Sequence, residues 1–261
     1  MGPSFTKLAL LVEYEGTRYL GFQVQRDQPT IQGEIEEALR RLTGEWIRIV
    51  GASRTDSGAH ALGQVVSFRT ASQMPPETFI RGLNHYLPED ISVRAAAQVS
   101  EAFDARRHAL SRHYGYTILN RAVRSPLWLG KAYQVSAPLD VEAMARASQA
   151  LIGKHDFAPF TSVKAPRRTV RTVGWAEVAR RGKLVTLDIE ADAFLPQQVR
   201  RTVGALVVVG LGKRPVEWFR GLVESKERGV AIPTAPAHGL CLMGVNYTEG
   251  TIMWRTLGED L

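Results

Sequence analysis

Val173-Gly174-Trp175-Ala176-Glu177-Val178-Ala179-Arg180-Arg181-Gly182-Lys183-Leu184-Val185-Thr186-Leu187-Asp188-Ile189-Glu190-Ala191 reads as two strands around a turn. In the second arm Val185, Leu187, Ile189 and Ala191 alternate with Thr186, Asp188 and Glu190, the period of a half-buried strand. Arg181-Gly182 interrupts the apolar pattern where a hairpin has to reverse. A helical pattern over 139–152, ended by Gly153, precedes the hairpin. Helices from Pro196 to about Leu211 and from Pro215 to Glu224 follow it. Strands at 112–120 and 240–247 flank the set, so the order is strand, helix, two strands, helices, strand.

The first half has the same order. Residues 7–14 are apolar and extended. Pro29-Thr30 opens a helix with Thr30 as N-cap and Gly44 just past its end, and Ile31, Ile35, Ala38, Leu39 and Leu42 recur on one face. Strands are predicted at 47–52 and 63–70. A helix from Pro76 turns Phe79, Ile80, Leu83 and Leu87 inward and is stopped by Pro88, and a strand at 90–99 closes the half. Two βαββαβ units in tandem predict an α+β protein of two ferredoxin-like (RRM-like) domains, 1–105 and 106–261, with antiparallel sheets joined across a central cleft. The halves share a pattern and no obvious sequence identity.

The 261 residues suffice for two such cores, and 44% hydrophobic with 23% charged residues is an ordinary globular balance. A formal net charge of +7 suits a polyanionic partner such as nucleic acid. The single cysteine, Cys241, excludes an internal disulfide or a thiolate cluster, and its apolar surroundings predict a buried thiol. The six histidines have no metal-ligand spacing, and neither a Walker A loop nor a dinucleotide fingerprint occurs. No metal or cofactor is expected. The lack of a signal-like leader or a membrane-length apolar run predicts a soluble, cytoplasmic protein.

Three segments carry candidate chemistry. Arg54-Thr55-Asp56-Ser57-Gly58-Ala59-His60 places one carboxylate between two strands, although Asp-Ser-Gly is also an ordinary turn. Arg112, Tyr114 and Tyr116 share one face of a strand, within a run rich in cations and rings (Arg106, Arg107, His108, His113) that suits base stacking beside phosphates. Arg200 lines up with Gly204, Val207 and Leu211 on a helix that is apolar nearly all round. A guanidinium buried there needs an anionic partner, and Asp192 is a structural candidate. Further cations stand at Arg18, Arg26, Lys164, Arg167, Arg168 and Arg171.

Together these segments resemble the TruA-type tRNA pseudouridine synthases over nearly the full chain. Residues 14–23, Tyr-Glu-Gly-Thr-Arg-Tyr-Leu-Gly-Phe-Gln, are similar to that family's opening strand and loop, and Thr30-Ile31-Gln32 to its first helix start. The Asp56 loop is similar to its catalytic loop, Arg112-His113-Tyr114-Gly115-Tyr116 to its tyrosine segment, and Phe194-Leu195-Pro196-Gln197-Gln198-Val199-Arg200 to its arginine segment. Ser53 departs from a common glycine, Gln198 from a frequent methionine and His238 from a frequent acid.

The resemblance implies isomerisation of uridine to pseudouridine in the tRNA anticodon arm, at positions 38, 39 and 40, without cofactor or metal. It implies Asp56 as nucleophile or as the base for a 2′ proton, and Tyr114 as the ring stacked on the detached, flipped uracil. Arg200 would keep Asp56 ionised. Arg54, His60, Arg18 and Arg112 are candidate RNA contacts, and a homodimer is implied. The rival reading is a non-catalytic RNA-binding protein of two RRM-like layers.

Overall fold

The computed structural model describes residues 5–162, 168–231 and 233–257. Two of the candidate cations, Lys164 and Arg167, lie outside the described residues. The described chain divides into two compact units, 5–110 with 242–257, and 111–241.

The first unit runs β1 (Thr6–Tyr14), α1 (Ile31–Thr43), β2 (Val50–Gly51), β3 (His60–Thr70), α2 (Pro76–Tyr86) and β4 (Ile91–Gln98). Capping sets the ends of α1 where the sequence places them. The Thr30 side chain accepts from the Gly33 N–H, and Gly44 takes the left-handed conformation at φ 76°. Ile31, Ile35, Ala38 and Leu39 form its buried face. β1 lies between β4 and β3, antiparallel to both, with Leu10 opposite Val66 on one side and Ala96 on the other.

The strand predicted at 47–52 shrinks to two residues that pair with β3. Side chains of α1 take the backbone of Ile49 instead, as its N–H donates to Glu36 Oε1 at 3.1 Å and its carbonyl accepts from Gln32 Nε2 at 3.4 Å. The two helices approach closely at Gly82, where a Cβ would stand 2.5 Å from the Leu42 side chain. Phe79 of α2 packs against Phe68 of β3 with ring centroids 5.9 Å apart.

The second unit runs β5 (Ser111–Asn120), β6 (Tyr133–Val135), α3 (Val141–Ser148), β7 (Gly153–Asp156), β8 (Val170–Arg181), β9 (Leu184–Ala191), α4 (Gln198–Gly210) and α5 (Val216–Glu224). Its strand order is β5-β9-β8-β7, with β6 parallel to β5. The hairpin predicted over 173–191 is present, with Gly182 at φ 60° in the turn and Tyr114 opposite Ile189 across the neighbouring pair. The helix predicted over 139–152 ends earlier, since residues 149–151 tighten into a 3₁₀ turn before Gly153 starts β7. Phe157, Phe160 and Phe219 form an aromatic chain in the core, with successive centroids 6.0 and 5.8 Å apart.

The last strand, β10 (Leu240–Asn246), begins in the second unit and continues in the first, where it neighbours β3. The sequence predicts 106–261 as one C-terminal domain, whereas 106–110 and 242–257 group with the first unit. Packing explains the difference. Tyr247, Ile252 and Trp254 join Phe103 over a cluster of Ala9, Ala52, Val65 and Ala105, and the Tyr247 hydroxyl donates to Ala105 O at 2.6 Å. Cys241, expected to be buried, is half-buried.

Candidate active site

The Asp56 loop is a turn held from several sides. The Ala59 N–H donates to Asp56 O at 3.1 Å, closing the turn around Ser57 and Gly58. Asp56 itself is half-buried, and Arg54 two residues earlier is exposed. On the strand side, Gln64 is fully buried and grips Ser53 by both backbone groups: its Oε1 accepts from Ser53 N–H at 3.2 Å and its Nε2 donates to Ser53 O at 2.8 Å. Tyr14 and Thr55 share a hydroxyl–hydroxyl hydrogen bond of 2.8 Å.

The loop after β1 braces the other side. The Tyr19 carbonyl accepts from Ser57 Oγ and from the Gly58 N–H, both at 3.2 Å, and the Phe22 N–H donates to Thr55 O at 3.2 Å. Such contact requires glycine at two places. A Cβ on Gly16 would overlap Ala59 O, and Gly21, at φ +90°, would put a Cβ 2.8 Å from Thr55 O. The opening motif therefore serves as a cradle for the Asp56 turn.

His60 faces this cradle. Its Nδ1 accepts from the Gly16 N–H at 3.0 Å, so the ring proton sits on Nε2 in this arrangement. The Glu15 carboxylate, 3.3 Å from the same Nδ1, takes its hydrogen bonds from Thr17. Arg18 is held by Asp90, with Nε 2.7 Å and Nη2 2.6 Å from Oδ2, yet two thirds of its side chain stays exposed. Tyr19 donates its phenol to Asp90 Oδ1 at 2.7 Å. Burial, then the bond to Asp90, pushes that phenol well above its ordinary value.

In the second unit Arg112, Tyr114 and Tyr116 do share a buried face. The Arg112 guanidinium donates to Asp192 O at 2.8 Å, which ties β5 to the chain leaving β9. Tyr114 packs edge-on against Phe194, with centroids 5.1 Å apart. Tyr116 is fully buried and donates its hydroxyl to Pro236 O at 2.7 Å, while Gly239 leaves room for its ring. Burial raises the Tyr116 phenol far above its ordinary value, and the nearby Arg200 charge only partly opposes this.

Arg200, expected to be buried, is half-buried. Its Nε donates to Ala235 O at 2.8 Å, and the Ala235 N–H returns a bond to Arg200 O at 3.0 Å. One helical turn on, Gly204 admits the backbone of Pro233, so the same segment packs along this row of α4. Asp192, the carboxylate considered as a structural partner, accepts through Oδ1 from the backbone N–H groups of Thr172 and Ala193. α4 begins two residues later than predicted, because Gln197 adopts a left-handed conformation at φ 62° before the helix starts.

The sequence marks neither Gln64 nor Asp90 as functional. A polar residue inside the apolar run 63–68 was the available signal for Gln64. Nothing local marks Asp90, whose Pro-Glu-Asp context reads as a turn.

Among the described residues no group of three His, Cys, Asp or Glu side chains could hold a metal ion. The polar turn, cradled by backbone, presents one carboxylate beside an exposed arginine, groups whose chemistry suits acid–base or nucleophilic steps. The family model described as tRNA pseudouridine synthase matches residues 10–106 and 147–248. The chain thus belongs to the tRNA pseudouridine synthase family, isomerases that convert uridine to pseudouridine.

Within it, the chain is similar to proteins named tRNA pseudouridine synthase A. It is 43% identical to that of Myxococcus xanthus over 94% of this chain and 93% of the relative. It is 43% identical to that of Pseudoalteromonas atlantica over 93% of each, and 42% identical to that of Blochmanniella pennsylvanica over 98% of each.

Proposed function

We propose that this chain isomerises uridine to pseudouridine in the anticodon arm of tRNA, at positions 38, 39 and 40, with Asp56 as the catalytic carboxylate. The observation that carries the reading is the Asp56 turn: a half-buried carboxylate on a loop that Gly16, Gly21, Tyr19 and Gln64 hold by backbone contacts. Such bracing suits a group that must keep its orientation while substrate arrives. Each unit is read as ferredoxin-like. In the first, the strand order β4-β1-β3 with β2 on the far side of β3 is the order of that fold.

The reaction breaks the C1′–N1 bond, turns the uracil and joins C5 to C1′; C5 loses one proton and N1, freed by the cleavage, gains one. Atoms and oxidation state balance without a co-reactant. Asp56 acts on the ribose or base as its carboxylate, by attack or by removing the 2′ proton. Tyr114 stacks on the detached uracil and takes up the C5 proton directly or through water. Arg200 is the cationic member of the proposed catalytic set. The commitment of Tyr116 to the Pro236 carbonyl supports Tyr114 for the stacking role.

The uridine must leave its stack to react, and exposed Arg54 fills the vacated place or clamps the backbone. Arg18, held by Asp90 yet largely exposed, meets phosphate, and the +7 charge favours the same partner. His60 orients the loop, and Arg112 supports the strand that carries Tyr114. The protein works as a cytoplasmic homodimer. No helix among the described residues is long and apolar enough to cross a membrane.

The decisive experiment is Asp56→Ala with tRNA substrates. Pseudouridine formation is abolished while tRNA binding stays within about threefold. An active Asp56→Ala enzyme would remove the carboxylate assignment.

A further inference from the structure

Asp90 lies 34 positions beyond Asp56 in sequence, at the entry to β4, and joins three points of the loop after β1. Its backbone carbonyl accepts from the Glu15 N–H at 2.9 Å. Its Oδ1 accepts from the Tyr19 hydroxyl and its Oδ2 from Arg18 Nε, both at 2.7 Å. Tyr19, with 4% of its surface exposed, has a carbonyl that accepts from Ser57 Oγ and the Gly58 N–H, the two residues after Asp56. The Tyr19 N–H in turn donates to Gly16 O at 3.0 Å, and the Gly16 N–H to His60 Nδ1. Hydrogen bonds linked through the frames of Tyr19 and Gly16 thus connect the Asp90 carboxylate to the middle of the Asp56 turn, at Ser57 and Gly58, and to His60 just beyond it.

We propose that Asp90 is a positioning residue for the reaction, acting through Tyr19 to fix the Asp56 turn, and that it aims Arg18 at the RNA backbone with its second oxygen. The proposal rests on the assignment of Asp56 as the catalytic carboxylate. Its logic is a tether: the bond from the Tyr19 hydroxyl to Asp90 fixes the Tyr19 ring and, through it, the Tyr19 carbonyl that holds Ser57 Oγ and the Gly58 N–H. Cutting that bond at either end, at the Asp90 acceptor or at the Tyr19 hydroxyl, releases the carbonyl from its place against Ser57 and Gly58. A displacement near 1 Å of a catalytic group lowers turnover on the order of 100-fold. Substrate binding, carried by many cations, changes little.

The test measures single-turnover pseudouridine formation, tRNA Kd and melting temperature for Asp90→Ala, Asp90→Asn, Tyr19→Phe and the Ala/Phe double variant, with Asp56→Ala alongside. In Asp90→Ala the rate falls on the order of 100-fold with Kd within about fivefold. Tyr19→Phe shows a similar fall, and the double variant is no worse than either single one, because both cut the same path. Asp90→Asn, whose amide oxygen still accepts from the phenol, regains at least about tenfold over Asp90→Ala, while its weakened hold on Arg18 shows as a smaller dependence of Kd on salt.

The proposal is overturned if Asp90→Ala or Tyr19→Phe keeps its rate within threefold of wild type, or if the losses add in the double variant. Should Asp90→Ala fail to fold, Tyr19→Phe and Asp90→Asn decide the matter by rate at unchanged Kd. An active Asp56→Ala enzyme would overturn the catalytic reading itself, whereas an inactive one beside a fully active Asp90→Ala would overturn only the positioning role.

Discussion

Gly21→Ala is the sharpest probe of the cradle. At φ +90° an alanine is strained, a cost of about 1–3 kcal/mol for a residue outside its allowed regions. Its Cβ would also stand 2.8 Å from Thr55 O and 3.3 Å from Asp56 C, against ordinary contact of 3.4 Å or more. Relief requires the Thr55–Asp56 peptide to retreat by several tenths of an ångström, and the Phe22 N–H bond to Thr55 O, already 3.2 Å, lengthens with it. Because the displaced peptide carries the proposed catalytic carboxylate, turnover falls roughly 10- to 100-fold, while stability drops by about 1–3 kcal/mol. Single-turnover pseudouridine formation at saturating enzyme and urea unfolding measure the two effects. Gly221→Ala is the control: on α5 its Cβ meets nothing within 4 Å, so the same substitution stabilises by about 0.4–1 kcal/mol. A Gly21→Ala enzyme with wild-type stability and a rate within threefold would refute the account of the loop.

Gly16→Ala, without positive φ, tests the steric part alone and slows turnover by pushing on Ala59 O; a wild-type rate would show that this contact is slack. Gln64→Leu leaves both Ser53 backbone groups without their partner and costs about 1–3 kcal/mol in urea unfolding. Tyr116→Phe loses the bond to Pro236 and about 1 kcal/mol, with tRNA binding unchanged.

The same two buried tyrosines set an alkaline limit. Tyr19 and Tyr116 stay protonated in the fold above the ordinary phenol value near 10, whereas the unfolded chain ionises them there. Their contribution is therefore complete below pH 10 and declines above it by up to about 1.4 kcal/mol per pH unit for each. Tyr116→Phe should flatten this decline in unfolding experiments between pH 9 and 11. If the proposed Asp56 carboxylate removes the 2′ proton, deuterium at ribose C2′ gives a primary isotope effect on single-turnover pseudouridine formation; if it attacks directly, none is expected.

Features governed by nearby residues were legible in the chain. Thr30 and Gly44 bound α1 as predicted, since a cap joins groups three or four residues apart. Gly182 turns the β8–β9 hairpin, and alternation along residues 184–191 names the buried face. The strand at 47–52 failed for a tertiary reason, namely that Glu36 and Gln32 of α1 reach across to the backbone of Ile49. Likewise nothing near residue 247 announces that Tyr247 and Trp254 return to cover the sheet of the first unit.

The Asp56 turn divides along the same line. Asp-Ser-Gly by itself dictates a tight polar turn, because an Asp side chain and a flexible glycine suffice for one. What holds that turn in place was decided only by folding. Gln64 reaches Ser53 from eleven residues away, and Asp90 reaches Tyr19 across seventy-one. Hydrogen bonds of that range leave no periodic or capping signature, since each partner satisfies its own local rules without the other. The chain alone thus specified which carboxylate to present and in what kind of turn, and tertiary packing supplied the backbone contacts that keep it pointed.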